Sequence, residues 1–322
     1  MTGITIQKQE YFADIFAFWD FKLKAVHSEV EVTGSPERTE SREVIEDDTG
    51  KLFILEEIDT RLRDSKLKII ETLDFLEHRG FSFVQPYCKT LDGKYIISHK
   101  KRSWQLVSYI TGVTLNRPDY IFDKWRGPVL AEFLIQLKVK ARNIPYFEEK
   151  EAFSIKNFID EFIAKLSTHN PELVPPVKEP LRWLESKFFK EYENIPLDFC
   201  HGDYHPLNII WGPDHIKKVI DWEFLGSKPE IYDLANLIGC IGMEDPEGLH
   251  GELIVDLIKT LKMAEIYSQI SWDLLFEFIV ALRFAWLSEW LHKHDDEMVS
   301  LESVYINLLF ERRVQLLHCW EL

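Results

Sequence analysis

The sequence predicts an α+β protein in two parts, a small antiparallel sheet with one packed helix (residues 1–109) and a larger, mainly helical part (residues 110–322). Three observations predict it. Short apolar runs separated by turn residues fill the first hundred positions, helical periodicity takes over after them, and a single hairpin interrupts the helices near residue 210.

In the first part, Glu29-Val-Glu-Val-Thr33 alternates with the period of a strand, Lys51-Leu-Phe-Ile-Leu55 is a short apolar strand, and Tyr95-Ile-Ile-Ser98 is another. Gly34-Ser-Pro36, Asp48-Thr-Gly50 and Leu91-Asp-Gly93 sit where hairpin turns are expected, with glycine free to take the positive φ that such turns require. Leu67, Ile70, Leu73 and Leu76 recur at helical spacing, and Gly80 stands where that helix stops. After Trp104-Gln-Leu-Val-Ser-Tyr-Ile-Thr-Gly112 the pattern changes. Val129, Leu130, Phe133, Leu134 and Leu137 mark one helix; Phe158, Ile159, Phe162, Ile163 and Leu166 mark another. Ile209-Ile-Trp211, a turn at Gly212-Pro-Asp214 and Lys218-Val-Ile-Asp221 form the interrupting hairpin.

Composition removes several functional classes. The chain is 46% hydrophobic with a formal net charge of −16, so its summed field repels nucleic acid and anionic membranes and favours a neutral or cationic small molecule. The first twenty residues lack the basic and apolar regions of a secretory signal, so a cytoplasmic location is expected. The greasiest stretch, 274–291, carries Glu277, Arg283 and Glu289, which reads as a buried helix and not a membrane span. Cys88, Cys200, Cys240 and Cys319 lie too far apart for a zinc knuckle or a dense disulfide framework. There is no GxxxxGK[ST] or GxGxxG run.

The string that carries chemistry is Cys200-His-Gly-Asp-Tyr-His-Pro-Leu-Asn208, followed by Val219-Ile-Asp-Trp-Glu223 and then Asp233-Leu-Ala. Phosphoryl transfer from a magnesium nucleotide needs a carboxylate to orient the attacking hydroxyl and hard oxygen ligands for the metal. Asp203, Asn208 and Asp221 supply that set, with Asp203 on a loop running from a helix into the hairpin and Asp221 arriving on the second strand. Glu223 would then point the same way along that strand.

His201-Gly-Asp203…Asn208 and Ile220-Asp221-Trp-Glu223 resemble the motifs of the aminoglycoside phosphotransferase-like family, which includes choline, homoserine and sugar kinases on a two-lobed, protein-kinase-like fold. The resemblance implies Asp203 as catalytic base, His201 as a support of its loop, Asn208 and Asp221 as Mg²⁺ ligands, and Asp233 as a structural cap. It implies ATP as the donor, with GTP the alternative, and a hydroxylated small molecule as acceptor: a sugar, an amino alcohol or an aminoglycoside-like compound. Nucleotide contacts are then expected from Ser35 and Arg38 in a glycine-poor loop, from the strand at Glu56, and from Val107 and Tyr109 in a hinge-like segment.

One position departs from the family pattern. Where relatives carry Val-Leu-Lys, whose lysine grips the α- and β-phosphates, this chain has Glu56 or Glu57, and a carboxylate beside polyphosphate is repulsive without an intervening cation. Mg²⁺ bridging Glu56, or a cation from Arg38, Arg61 or Lys68, would repair it. The alternative is a pseudokinase that binds ligand without turnover. A second alternative is a transition-metal hydrolase built on His201, Asp203 and His205. The aromatic helix carrying Phe276, Phe284, Trp286 and Trp290 reads as core, with an acceptor pocket wall the alternative that the resemblance implies; Trp125 and Arg126 are candidates for that pocket or for a surface loop.

Overall fold

A computed structural model describes residues 3–30, 32, 39–145 and 153–322. Ser35, Arg38 and the turn at residues 34–36 lie outside the described residues. In chain order the elements are α1 (Gly3–Phe16), β1 (Leu23–His27), β2 (Ser41–Asp47), β3 (Leu52–Ile58), α2 (Arg63–His78), β4 (Ile96–His99), β5 (Arg102–Ser108), α3 (Arg126–Lys140), α4 (Ile155–His169), α5 (Val174–Ser186) and the one-turn α6 (Phe188–Glu191). Then come β6 (Leu197–Cys200), β7 (Ile209–Trp211), β8 (Ile216–Val219), β9 (Gly226–Pro229), α7 (Tyr232–Glu244), α8 (Glu252–Met263), α9 (Gln269–Asp273), α10 (Leu275–His292) and α11 (Asp296–Cys319).

The chain divides into two compact units, 1–114 with 207–223, and 115–206 with 224–322. The hairpin, which a division at residue 109 assigns to the second part, therefore clusters with the first unit.

In the first unit five strands form an antiparallel sheet in the order β1-β2-β3-β5-β4. Alternation along β3 decides its faces. Phe53 and Leu55 join the core built by Phe12, Ile15, Phe16 and Trp19 from the N-terminal segment with Trp104 and Leu106 of β5. Each such buried side chain contributes about 1.5–3 kcal/mol. Ile54 and Glu56 point to the opposite face, where α2 lies. Of the strand expected over residues 29–33, residues 31 and 33 lie outside the described residues; residues 28–30 form a turn, and the strand that precedes them is β1. The turn joining β2 to β3 is locked by Asp47, whose Oδ1 accepts hydrogen bonds from Thr49 N (2.9 Å), Thr49 Oγ1 (2.7 Å) and Lys51 N (2.8 Å). α2 ends at Gly80, at φ 77°. The β7-β8 hairpin is tied in by Val219 N donating to Phe83 O (2.8 Å) and by Lys218 Nζ donating to Ser82 O and Val84 O (2.7 and 2.8 Å).

The second unit is helical around the small β6-β9 ladder. α3 and α8 pack so closely that a Cβ on Gly127 would lie 2.3 Å from Leu253 O. α10 is the buried helix expected from its sequence, and among the described residues no helix is long and apolar enough to cross a membrane. Its Arg283 makes a two-point ion pair with Glu302 of α11 (Nε–Oε1 and Nη2–Oε2, both 2.6 Å), which offsets the desolvation of two fully enclosed charges.

Candidate active site

In the first unit, α2, β3, β5 and the end of the hairpin enclose a cavity of about 80 Å³. Ile54, Ile69, Leu73, Val107 and Val219 give it an apolar side, and Arg42, Glu56, Lys66, Gln85, Asp221 and Glu223 a charged and polar one. A small-molecule site usually occupies roughly 300–1,000 Å³. Four of its charged side chains pair with each other, Arg42 with Glu56 and Lys66 with Glu223. Strand register explains one set: Arg42, Glu56 and Gln105 lie directly opposite one another on β2, β3 and β5. Arg42 Nε is 3.0 Å from Glu56 Oε1, and Gln105 Nε2 donates to Glu56 Oε2 at 2.6 Å. Lys66 of α2 is ion-paired with Glu223. Burial first, then the Glu56 and Glu223 carboxylates, hold the Tyr87 hydroxyl well above the usual phenol pKa, with Arg42 opposing.

The register settles which glutamate faces the cavity. Glu56 does, whereas Glu57 pairs with Arg102 (2.8 Å) on the other face. Of the replacement cations named from sequence, Arg61 is 89% exposed and engaged with Asp59, Lys68 does not line the cavity, and Arg38 is outside the described residues. Among the described residues the cations that line the cavity are Arg42 and Lys66. Helical arithmetic could have found Lys66, which shares a stripe with Ile69 and Leu73 at i, i+3 and i+7.

Asp221 is not on the second strand: β8 ends at Val219, and Asp221 follows with φ 65°, a left-handed conformation that is uncommon for a side chain other than glycine and concentrates at functional positions. Residues 222–224 form a 3₁₀ turn, so Glu223 does not continue a strand. Ile220 N donates to Asn208 O (2.9 Å), bringing the backbones that carry Asn208 and Asp221 together. An amide oxygen and one carboxylate are hard donors, and Mg²⁺ is commonly held by one or two carboxylates with phosphate and water completing its shell. The donor set fits Mg²⁺. Val107 lines the cavity; Tyr109, with its N–H donating to Leu52 O (3.0 Å), does not.

In the second unit the His-Gly-Asp loop leaves β6, a strand where a helix was expected. Its backbone is held from α7: Asp233 Oδ2 accepts from His201 N (2.7 Å) and Oδ1 from Gly202 N (2.8 Å). His201 is fully buried, and its Nδ1 accepts from Asp203 N (3.1 Å). Gly202 has φ 85°, and a Cβ there would lie 2.2 Å from Phe224 O. Burial pushes the Asp233 carboxyl up to about 6, against the pull of the Gly202 and His201 N–H groups and the Lys228 charge. Lys228, unremarked in the sequence, is nearly buried beside this loop over the rings of Phe153 (5.8 Å) and Tyr232 (5.5 Å), and burial lowers its pKa.

Tyr204 stacks on Phe133 at 4.3 Å, and His205 lies 3.6 Å from Asp203 and 6.3 Å from the ring of Trp286. Trp286 and Trp290 are half-buried and stacked, whereas Phe276 and Phe284 are core. Arg126 is buried, stacks on Trp125 and pairs with Asp123 (3.0 Å). Among the described residues no group of three or more His, Cys, Asp or Glu side chains is placed to hold a metal, so the sphere required for a His201–Asp203–His205 hydrolase is not assembled.

A family model described as phosphotransferase enzyme family matches residues 40–265. Among solved structures, an amicoumacin kinase in complex with AMP-PNP, Ca²⁺ and Ami is 12% identical over 97% of this chain and 96% of its own, with a TM-score of 0.68. An aminoglycoside phosphotransferase from Alicyclobacillus acidocaldarius is 15% identical over 90% and 93%, with a TM-score of 0.62. A choline/ethanolamine kinase family protein from Mesorhizobium loti is 14% identical over 90% and 93%, with a TM-score of 0.58. No curated protein matches the sequence. The chain belongs to the phosphotransferase enzyme family and has its α+β, protein-kinase-like fold.

Proposed function

We propose that this chain is a Mg²⁺-dependent kinase that moves the γ-phosphoryl group of ATP to a hydroxyl of a small molecule. The observation that carries the reading is Asp221, a metal-type carboxylate in a left-handed backbone position, in one cavity with Arg42 and Lys66. A hard-ligand carboxylate next to cations and an apolar wall is what a magnesium polyphosphate with a flat base requires.

In this reading Ile54, Ile69, Val107 and Val219 enclose the base, and Asn208 and Asp221 hold the metal. Mg²⁺, when bound there, neutralises phosphate charge. Asp203, on its braced loop, orients the acceptor hydroxyl and takes its proton as the oxygen attacks. Buried His201 and Asp233 fix where Asp203 stands. The acidic chain and the Trp286–Trp290 pair near His205 favour a neutral or cationic acceptor. ATP is the donor favoured by the AMP-PNP in the amicoumacin kinase structure. The pseudokinase alternative rested on the missing strand lysine, and the cavity holds two other cations.

The test is the melting midpoint with and without ATP and Mg²⁺ in the wild type and in Asp221→Ala, followed by acceptor-dependent ADP release. Nucleotide at a hundred times its Kd stabilises by about 2.7 kcal/mol. The expected result is a magnesium-dependent rise that the variant loses; no rise at millimolar nucleotide would refute the reading.

A further inference from the structure

In protein kinases the strand facing the nucleotide supplies a lysine for the α- and β-phosphates, and the neighbouring helix supplies its carboxylate partner. Here the two charges are exchanged: β3 presents Glu56 to the cavity and α2 presents Lys66. Resting on the kinase reading above, we propose that Lys66, assisted by Arg42, is the cation that binds the α- and β-phosphates, and that Glu223 and Glu56 hold these cations when no nucleotide is present.

Lys66 is 4% exposed, on a helix whose outer face would have given it water at no cost. Lysine is almost never buried without a partner. Its partner is Glu223, two residues beyond Asp221, so the ammonium is delivered to the segment that carries the metal carboxylate. Mg²⁺ and a phosphate-binding cation must act on the same polyphosphate, and this placement puts both in one cavity.

Arg42 and Gln85 make the second observation. Arg42 Nε is near Glu56 but off the hydrogen-bond line, and it is buried with no hydrogen-bond acceptor among the described residues. Gln85 Nε2 is in the same state. Both residues line the cavity, and buried donors without acceptors are costly. A ligand rich in oxygen acceptors supplies what they lack. Glu56 does not repel it, because Arg42 and Gln105 already surround its carboxylate.

The experiment measures affinity for Mg-ADP, which carries both phosphates, and for adenosine, which carries none, using the full chain. Lys66→Met should weaken Mg-ADP roughly ten- to a hundredfold, the loss of a charge-assisted contact, and leave adenosine unchanged. Lys66→Arg should stay within a few-fold of wild type, and adding Glu56→Lys to Lys66→Met should recover part of the loss. Mg-ADP binding by Lys66→Met within twofold of wild type, or equal losses for ADP and adenosine, overturns the assignment while the kinase reading stands. A wild type that binds neither ligand overturns both. Should Lys66→Met fail to fold, the wild type alone decides: Mg-ADP, and not adenosine, must change the rate at which an amine-directed acylating reagent modifies Lys66, and an unchanged rate overturns the proposal.

Discussion

Two aspartates, one in each unit, hold a piece of backbone in opposite ways. Asp47 closes the β2-β3 turn through hydrogen bonds from residues two and four positions on, and Asp233 closes the His-Gly-Asp loop through N–H groups 32 and 31 positions back. The first is a local brace that any β-turn provides, and it stabilises without doing chemistry. The second reaches across the unit to set the loop that carries Asp203, the proposed base. A fixed loop makes a carboxylate useful, so a substitution at the distant brace should cost turnover where one at the local brace costs only stability.

The sharpest break is at Asp203, the proposed base. Asp203→Asn is expected to lower turnover by roughly 10²–10⁴-fold with the melting midpoint little changed, as measured by ADP release and thermal unfolding. Retained activity would transfer the role of base elsewhere.

Asp233 comes next, and its pKa gives the sign. The native carboxyl is pushed up to about 6 by burial, against about 3.9 for an unfolded aspartate, so the folded protein holds the proton more tightly. The stability this gives is complete below pH 3.9 and is lost as pH rises through 6, by up to about 3 kcal/mol. Activity should run the other way, because protonation converts one of the two acceptors into a donor facing an N–H group. Wild-type kcat/KM should fall below about pH 6, and Asp233→Asn should be poorly active, without that limb, and flatter in stability between pH 4 and 6. The same limb surviving in Asp233→Asn would assign it to another group.

The smallest effect belongs to the local brace. Asp47→Ala should cost about 1–2 kcal/mol in denaturant unfolding and leave Mg-ADP affinity unchanged, since Asp47 does not line the cavity. A change in affinity would show that the turn positions the nucleotide strands and would erase the contrast between the two aspartates.

Much of this was readable in the sequence because it is carried by contiguous residues. The His201–Asn208 string, the hairpin and the stripes of α2, α3, α4 and α10 each declare themselves within a dozen positions. What was missed is carried by pairs distant in sequence. β2 went unseen because Arg42, Glu43 and Glu46 mask its alternation, and their charges make sense only opposite β1 and β3. Glu56 looked like a damaged lysine position until the register placed Arg42 and Gln105 on either side of it. Lys66 is not singled out by the sequence, because its partner Glu223 lies 157 residues away. Asp221 was placed on a strand because no local pattern announces a left-handed aspartate.

Gly202 has a consequence for anyone who would diversify this scaffold. With a Cβ colliding at 2.2 Å with a backbone carbonyl, at a φ of 85° that favours glycine, any replacement forces the loop to shift, and a randomised library that includes this codon is expected to lose most of its members before selection begins. Diversity is better spent on Trp286 and Trp290, stacked and half-buried on α10 with Trp286 close to His205, where a new side chain alters the shape of the surroundings and leaves Gly202 in place.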